Sequence, residues 1–148
     1  MTGTFNLTPQ RFVLDSYAVL AFLGSEAGTD RVGELLQRGT DGRCQLFISV
    51  INYGEVIYIT EREKGFSKAQ EVIARIDELP VSIVDCGRTL AVMAAHIKAR
   101  YPIAYADCFA AALAATLGAL LVTGDPEFKP LEAAHIISID WLSSGGLV

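Results

Sequence analysis

The sequence predicts an α/β protein in three layers, with helices on both faces of a mainly parallel sheet of about five strands. Short, continuously apolar segments alternate with segments of helical periodicity along most of the 148 residues. Strands that are apolar without alternation are typical of parallel sheets, because both faces of such a sheet are buried. The length suits one domain with a single core, so we expect residues 1–148 to form one domain.

The first segments are defined by apolar runs and by the glycines that follow them. Residues 11–15 are a short apolar run ending in an acid, which predicts a buried strand. Residues 17–23 continue apolar and stop at Gly24. Residues 29–38 carry apolar side chains at helical spacing, which predicts an amphipathic helix for which Gly39 is a suitable end.

The middle of the chain continues the alternation of strands and helices. A short apolar run predicts a second strand at 45–49, and residues 50–64 have the pattern of a helix that ends in a charged run. Ser67 is suited to cap the next helix, which we expect to continue through Asp77. A proline then precedes a third predicted strand at 81–84.

The last part of the chain adds two helices and two strands. Asp85 or Gly87 begins a helix that extends to about Arg100. Residues 104–117 are apolar on nearly every side, which predicts a helix packed on more than one face. The fourth and fifth strands are predicted at residues 119–122 and 136–139.

The composition excludes several classes of protein. With 51% hydrophobic and 20% charged residues, general disorder is excluded, and a net charge of −5 excludes a strongly basic nucleic-acid binder. Cys44, Cys86 and Cys108 lack metal-ligand spacing, and we expect reduced thiols in a cytoplasmic protein. The N-terminus does not resemble a secretory signal, and the most apolar stretch, 108–122, is shorter than the roughly 20 residues of a membrane span.

Four acids occupy positions that hydrophobic burial alone does not explain. Asp15 ends the first strand, and Glu55 lies in the first turns of the helix after the second strand. Asp107 is the only charge between Arg100 and Asp125, and Asp125 itself follows the fourth strand. Taken singly, each has an ordinary structural explanation, such as a helix cap, a solvated helix residue or a turn. Their occurrence together is more specific.

These acids predict a shared metal site. Parallel strands end at one edge of a sheet, so Asp15, Glu55 and Asp125 map to the same edge, and Asp107 joins them if it begins its helix. Carboxylates in apolar surroundings repel one another and need a cation. Oxygen ligands without histidine or cysteine favour Mg²⁺ or Mn²⁺ over zinc. The other acids of the last part, Glu127, Glu132 and Asp140, are interpreted as surface residues.

Four short motifs in this order resemble the PIN domain, and more narrowly the VapC-type toxins of toxin–antitoxin pairs. The resemblance extends from about Phe12 to Trp141. Its motifs are Val-Leu-Asp15-Ser-Tyr-Ala, Asn52-Tyr-Gly-Glu55-Val, Ala-Tyr-Ala-Asp107-Cys-Phe-Ala-Ala-Ala-Leu-Ala and Leu-Leu-Val-Thr123-Gly-Asp125-Pro-Glu-Phe128. The fold it implies is a PIN-like α/β/α sandwich.

The resemblance implies a Mg²⁺- or Mn²⁺-dependent ribonuclease that hydrolyses phosphodiester bonds. Asp15, Glu55, Asp107 and Asp125 match the acidic quartet of the family. Asp15, Asp107 and Asp125 would hold one or two metal ions, and Glu55 would ligate the metal or orient its water. The metal would promote attack by water and offset charge on the phosphoryl oxygens.

The resemblance also implies supporting residues and partners. Ser16 and Thr123 match hydroxyl residues that would orient the carboxylates by hydrogen bonding. RNA is the implied substrate, a VapB-type antitoxin the implied inhibitor, and a homodimer the implied assembly, with no membrane partner. A basic rim could aid RNA binding, and the candidate residues are Arg11, Arg43, Arg62, Lys64, Lys68 and Lys129.

Three other classes of protein are alternatives to a nuclease. A receiver-like phosphoacceptor module has the same layers and an acidic Mg²⁺ pocket, but it needs adjacent acids after the first strand and a lysine after the fifth. A dehalogenase-like phosphatase needs a second Asp where this chain has Tyr17. A non-catalytic PIN-like interaction or RNA-binding domain is the remaining alternative, although such proteins are expected to lose acids.

Overall fold

The computed structural model describes residues 8–26 and 28–143, so the predicted domain limits at residues 1 and 148 lie outside it. All strand pairs in the described sheet are parallel, and the strand order is β3-β2-β1-β4-β5. The predicted five-stranded parallel sheet is therefore confirmed. The strands are β1 (Gln10–Leu14), β2 (Cys44–Ser49), β3 (Val81–Val84), β4 (Leu120–Thr123) and β5 (Ser138–Trp141).

Seven α-helices connect or follow the strands in the described residues. A short 3₁₀ turn at Pro126–Phe128 precedes the last of them, and neither that turn nor the last helix was predicted. The helices are α1 (Ser16–Leu23), α2 (Thr29–Thr40), α3 (Val50–Lys64), α4 (Phe66–Asp77), α5 (Arg88–Arg100), α6 (Tyr105–Leu117) and α7 (Lys129–Ala133).

Several predicted boundaries were wrong at the ends of elements. Helix α2 continues through Gly39 to Thr40, because its last carbonyls still accept backbone hydrogen bonds. The N–H groups of Asp41 and Arg43 donate to the carbonyls of Gln37 and Arg38. Gly65 rather than Ser67 occupies the N-cap of α4. Of the two predicted starts of α5, Gly87 and not Asp85 occupies the N-cap. Strand β5 begins two residues later than predicted, where the chain first pairs with β4 at Ser138.

The sheet separates two apolar clusters, which makes the three layers. Along β1, Val13 faces the cluster formed with α5, α6 and α7, whereas Phe12 and Leu14 face the cluster formed with the first four helices. Helix α6 is buried continuously over residues 107–114, as expected for a helix packed on more than one face. None of the helices in residues 8–26 and 28–143 is long and apolar enough to cross a membrane.

Strand β1 lies at the centre of the sheet, where the order of the strands reverses. The chain moves outward from β1 through β2 to β3, and then returns to place β4 on the other side of β1. Because all five strands are parallel, their carboxyl ends lie at one edge, and a crevice forms there at the reversal point. This edge carries the starts of α1 and α3 and the turn after β4.

Candidate functional site

Asp15 joins the ends of the two central strands. It follows β1 directly and caps α1, accepting a hydrogen bond at Oδ1 from the backbone N–H of Ala18 at 2.9 Å. Its other oxygen, Oδ2, accepts a hydrogen bond from the hydroxyl of Thr123 at the end of β4. The side chain is 1% exposed, so both oxygens are held in fixed positions. Asp15 is therefore both a helix cap and part of the crevice.

Glu55 is held toward the same crevice by two donors. The hydroxyl of Ser16 donates to Glu55 Oε1 at 2.9 Å, and the amide Nδ2 of Asn52 donates to the same oxygen at 3.2 Å. Asn52 Nδ2 also donates to the backbone carbonyl of Ala106 at 3.2 Å, in the first turn of α6. The first turns of α1, α3 and α6 are thus connected through Glu55 and Asn52.

Asn52 is a site residue to which the sequence interpretation gave no role. Its side chain is fully buried, and its Oδ1 accepts a hydrogen bond from the hydroxyl of Ser49 at 2.6 Å. The Ser49 hydroxyl in turn accepts from the backbone N–H of Asn52 at 3.0 Å. The available sequence signal was an asparagine three positions before an acid on an otherwise apolar helical face.

Replacing Asn52 with Leu is expected to lower the free energy of unfolding by about 2–3 kcal/mol. The apolar side chain removes one donor from the Ala106 carbonyl and one from Glu55, and it takes the acceptor from the buried Ser49 hydroxyl; buried polar groups that lose partners are costly. Urea denaturation of the metal-free protein measures the change. Gln70→Leu, at an exposed position of α4, is the control and should change stability by less than about 0.5 kcal/mol. Equal effects of the two substitutions would contradict this assignment.

Asp107, Asp125 and Glu127 form the most compact group of carboxylates. One oxygen from each lies within 4.8 Å of the others. Asp107 is in the first turn of α6, and the other two lie in the turn after β4, where Asp125 Oδ1 accepts from the backbone N–H of Glu127 at 2.9 Å. Glu127 is exposed, as expected for a surface residue, and the 3₁₀ turn brings one of its oxygens to the group. An acid two positions after Asp125 was the signal that could have found it.

Thr123 connects this group to Asp15. Its hydroxyl donates to Asp15 and accepts a hydrogen bond from the backbone N–H of Asp125 at 3.0 Å. Thr123 is fully buried at the end of β4. The structure therefore brings together all four predicted acids together with Ser16 and Thr123, while their roles in a reaction stay predictions.

Burial and mutual repulsion disfavour ionisation of two of these acids. Burial raises the pKa of Asp15 from 3.8 to about 7, against the lowering effect of hydrogen bonds from Thr123 and Ala18. Burial, followed by repulsion from Glu55 and Asp125, raises the pKa of Asp107 from 3.8 to about 7. Such shifts are typical of carboxylates that lack a compensating cation.

The acids of the crevice take part in none of the described ion pairs. Within residues 8–26 and 28–143, ion pairs link Arg31 to Glu34 and Asp140, Arg43 to Asp41, and Lys68 to Glu71, and none includes an acid of the crevice. A group of hard oxygen donors that no ion pair neutralises fits a divalent cation. The residues present are thus chemically suited to a metal ion.

The remaining candidates have structural partners. Asp140 pairs with Arg31 at 2.7 Å, and Glu132 accepts from the indole N–H of Trp141 at 3.1 Å, so both acids have partners outside the acidic group. Among the basic candidates, Arg11 and Arg43 lie at the starts of β1 and β2, which is the opposite edge of the sheet. These two arginines cannot form a basic rim around the crevice.

Together, the fold and the crevice define a class: a three-layer parallel α/β protein with an acidic group at the reversal point of its sheet. A model of the PIN domain family matches residues 12–133. The chain belongs to the PIN domain family, which confirms the resemblance found in the motifs. A comparison with curated proteins gave no match.

Solved structures share this fold. A chain of VapBC2 from Rickettsia felis, solved bound to a DNA fragment from its promoter, aligns over 90% of this chain and 100% of its own, with a TM-score of 0.73 and 16% identity. VapBC-1 from nontypeable Haemophilus influenzae aligns over 89% of this chain and 98% of its own, with a TM-score of 0.66 and 19% identity. The sarcin-ricin loop cleaving toxin VapC20 from Mycobacterium tuberculosis aligns over 86% of this chain and 98% of its own, with a TM-score of 0.65 and 17% identity. At these identities the similarity establishes the fold.

Proposed function

We propose that this protein is a Mg²⁺- or Mn²⁺-dependent endoribonuclease and the toxin of a VapBC-type toxin–antitoxin pair. The observation that carries the proposal is the group of carboxylates at the reversal point of the sheet, with two pKa values raised to about 7 and no basic partner among the described ion pairs. Membership of the PIN domain family supports the nuclease assignment.

In this proposal the acids divide into those that hold the metal and those that arrange its surroundings. Asp15, Asp107 and Asp125 hold the ion, and Glu127 joins them because one of its oxygens lies within 4.8 Å of those of Asp107 and Asp125. When bound, Mg²⁺ or Mn²⁺ supplies activation of water and stabilises negative charge on the phosphoryl group. Glu55 orients the attacking water.

The neighbouring polar residues keep these carboxylates in place during the reaction. Ser16 and Asn52 both donate to Glu55 Oε1, which leaves its second oxygen available for water. Thr123 fixes Asp15 and, through the Asp125 N–H, the turn that carries Asp125. Preorganised carboxylates need little rearrangement when substrate binds, which favours the transition state.

An antitoxin and a second copy of the chain are the proposed partners. Structures of similar fold from Rickettsia felis and Haemophilus influenzae are described as VapBC assemblies, which supports a VapB-type antitoxin for this protein. Helix α3 exposes Ile51 and Tyr58 in addition to its buried face. Apolar residues exposed in this way provide surface for a protein partner.

The purified protein is expected to cleave single-stranded RNA in Mg²⁺ or Mn²⁺ and to lose this activity in EDTA. The acids hold the ion through oxygens alone, so removal of divalent cations removes the activation of water. Gel analysis of a 5′-labelled RNA at about pH 8 measures the cleavage. Readdition of Mg²⁺ should restore it, and cleavage that persists in EDTA would falsify the proposed function.

A further inference from the structure

Tyr17 lies beside the crevice and is packed against a glycine of the opposite loop. It is in the first turn of α1, two residues after Asp15, and it is 39% exposed. A Cβ atom at Gly124 would lie 2.7 Å from Cζ and 2.9 Å from the hydroxyl oxygen of the Tyr17 ring. Distances of this kind are sterically forbidden, so only glycine at position 124 allows the ring to remain in this place.

This contact places the ring beside the loop that carries Asp125. Gly124 separates Thr123, which contacts Asp15, from Asp125. The tyrosine is therefore held against the loop that carries part of the proposed metal site, while over a third of its surface stays open to solvent. An aromatic side chain has only two torsion angles, so it loses little conformational freedom when it binds a planar ligand.

A cavity borders the same tyrosine. Its volume is about 280 Å³, and it is lined by Tyr17, Leu20, Ala21 and Glu26. This volume lies just below the range of about 300 to 1,000 Å³ that holds drug-sized ligands, so any occupant is small, such as a single ring system. Its walls are mostly apolar, and Glu26 adds one carboxylate, a composition that can accept a planar ring with a polar edge.

The charge of the protein favours stacking as a source of RNA affinity. Contacts to phosphates normally dominate nucleic-acid binding, but this chain has a net charge of −5. Arg11 and Arg43 lie at the opposite edge of the sheet, and Arg62 and Lys64 end α3, roughly 20 Å along that helix from its start near the crevice. Lys68 lies in α4, which follows that end, so Lys129, at the start of α7 after the turn that carries Glu127, is the remaining basic candidate. Stacking of bases on aromatic side chains does not require positive charge.

We propose that Tyr17 stacks against an unpaired base adjacent to the phosphodiester held at the acidic group, with the neighbouring cavity receiving that base. This inference rests on the proposed ribonuclease function and adds to it a residue, Tyr17, that binds an unpaired base beside the cleaved bond. A base within a duplex is already stacked and paired, so it is not available to the ring.

The test combines removal of the ring with removal of the base. Binding of a fluorescein-labelled single-stranded oligoribonucleotide is measured by anisotropy in Mg²⁺, in the Asp107→Asn background to limit cleavage. A series of probes carries an abasic nucleotide at successive positions. With Tyr17 present, one abasic position should weaken binding by roughly tenfold, as expected for one stacked base. With Tyr17→Ala, the intact probe should bind roughly tenfold more weakly, and that abasic position should have no further effect.

Two control variants separate stacking from a structural role. Tyr17→Phe keeps the ring and should bind within about twofold of the parent protein. Phe66→Ala removes a more exposed aromatic side chain at the start of α4, beyond the far end of α3, and should have no effect. In the protein that keeps Asp107 and so cleaves RNA, Tyr17→Ala should raise KM roughly tenfold and change kcat by less than about threefold.

The outcomes distinguish the stacking proposal from the ribonuclease proposal. If the parent protein cleaves RNA but the abasic profile is the same with and without Tyr17, stacking is wrong and the ribonuclease function stands. If Tyr17→Phe loses as much affinity as Tyr17→Ala, the hydroxyl rather than the ring is used, and stacking is again wrong. If the parent protein neither binds nor cleaves RNA in Mg²⁺ or Mn²⁺, both proposals are wrong.

Discussion

Asp107→Asn is expected to reduce metal-dependent RNA cleavage by roughly a thousandfold and to leave the protein folded. Loss of one carboxylate weakens the hold on the metal and removes several kcal/mol of transition-state stabilisation, where each 1.4 kcal/mol corresponds to about tenfold in rate. The fold survives because Asn has nearly the same shape as Asp and does not repel Glu55 or Asp125. Cleavage rates at saturating Mn²⁺, together with circular dichroism, measure both effects.

The control for this substitution is an acid of the same type outside the crevice. Asp30 is exposed in the first turn of α2, and Asp30→Asn should cleave RNA within about twofold of the parent protein. A matched loss in both variants would indicate that net charge rather than the carboxylate group is responsible. Full cleavage by Asp107→Asn would remove Asp107 from the site and contradict the proposed mechanism.

The second large effect concerns the pH dependence of the free energy of unfolding, which a bound metal ion should oppose. Without metal, the protein should be less stable at about pH 8 than at about pH 5.5. The pKa values of Asp15 and Asp107 are about 7 in the folded state, against an ordinary value of 3.8. Between these values the folded state binds more protons than the unfolded state, so the free energy of unfolding falls as pH rises. The loss is complete only above the folded pKa.

The size of this effect follows from the pKa shifts. Each pKa unit corresponds to about 1.4 kcal/mol, so the two coupled carboxyls together account for a few kcal/mol and a Tm difference of several degrees. Mg²⁺ or Mn²⁺ binds the ionised form and should therefore raise Tm more at pH 8 than at pH 5.5. Differential scanning fluorimetry with and without the ion measures this difference.

The variant Asp107→Asn tests whether this carboxyl causes the pH dependence of stability. Asp107→Asn cannot ionise at position 107, so its metal-free form should be more stable than the parent protein at about pH 8 and should lose part of the pH dependence. Asp30→Asn should keep the dependence of the parent protein. A parent protein whose metal-free stability rises steadily from pH 5.5 to 8 would show that the two acids are ionised without cost in the folded state.

The sequence by itself determined the layers of the fold and the edge at which the acids lie. Continuous apolar strands alternating with helices require burial on both faces, which leads to a parallel sheet without reference to any particular contact. In a parallel sheet, residues that follow strands share one edge, so the positions of Asp15 and Asp125 at strand ends were enough to place them together. Asp107 was conspicuous because a charge interrupts a long apolar helix.

Only the tertiary structure decided which side chains connect these acids. Thr123 and Asp15 are 108 positions apart, and Ser16 and Glu55 are 39 positions apart, so no local pattern relates them. The bond from Asn52 to the Ala106 carbonyl depends on how closely α3 approaches α6.

The same holds for the loop after β4. Its 3₁₀ turn brings Glu127 to the carboxylates, and its Gly124 makes room for Tyr17 from another element. Spacing and hydrophobicity are properties of one segment, and they determine what each segment buries. Hydrogen bonds between segments, the clustering of carboxylates and the packing of a ring against a loop all depend on the distance between segments. That distance is established only when the sheet and helices have packed together.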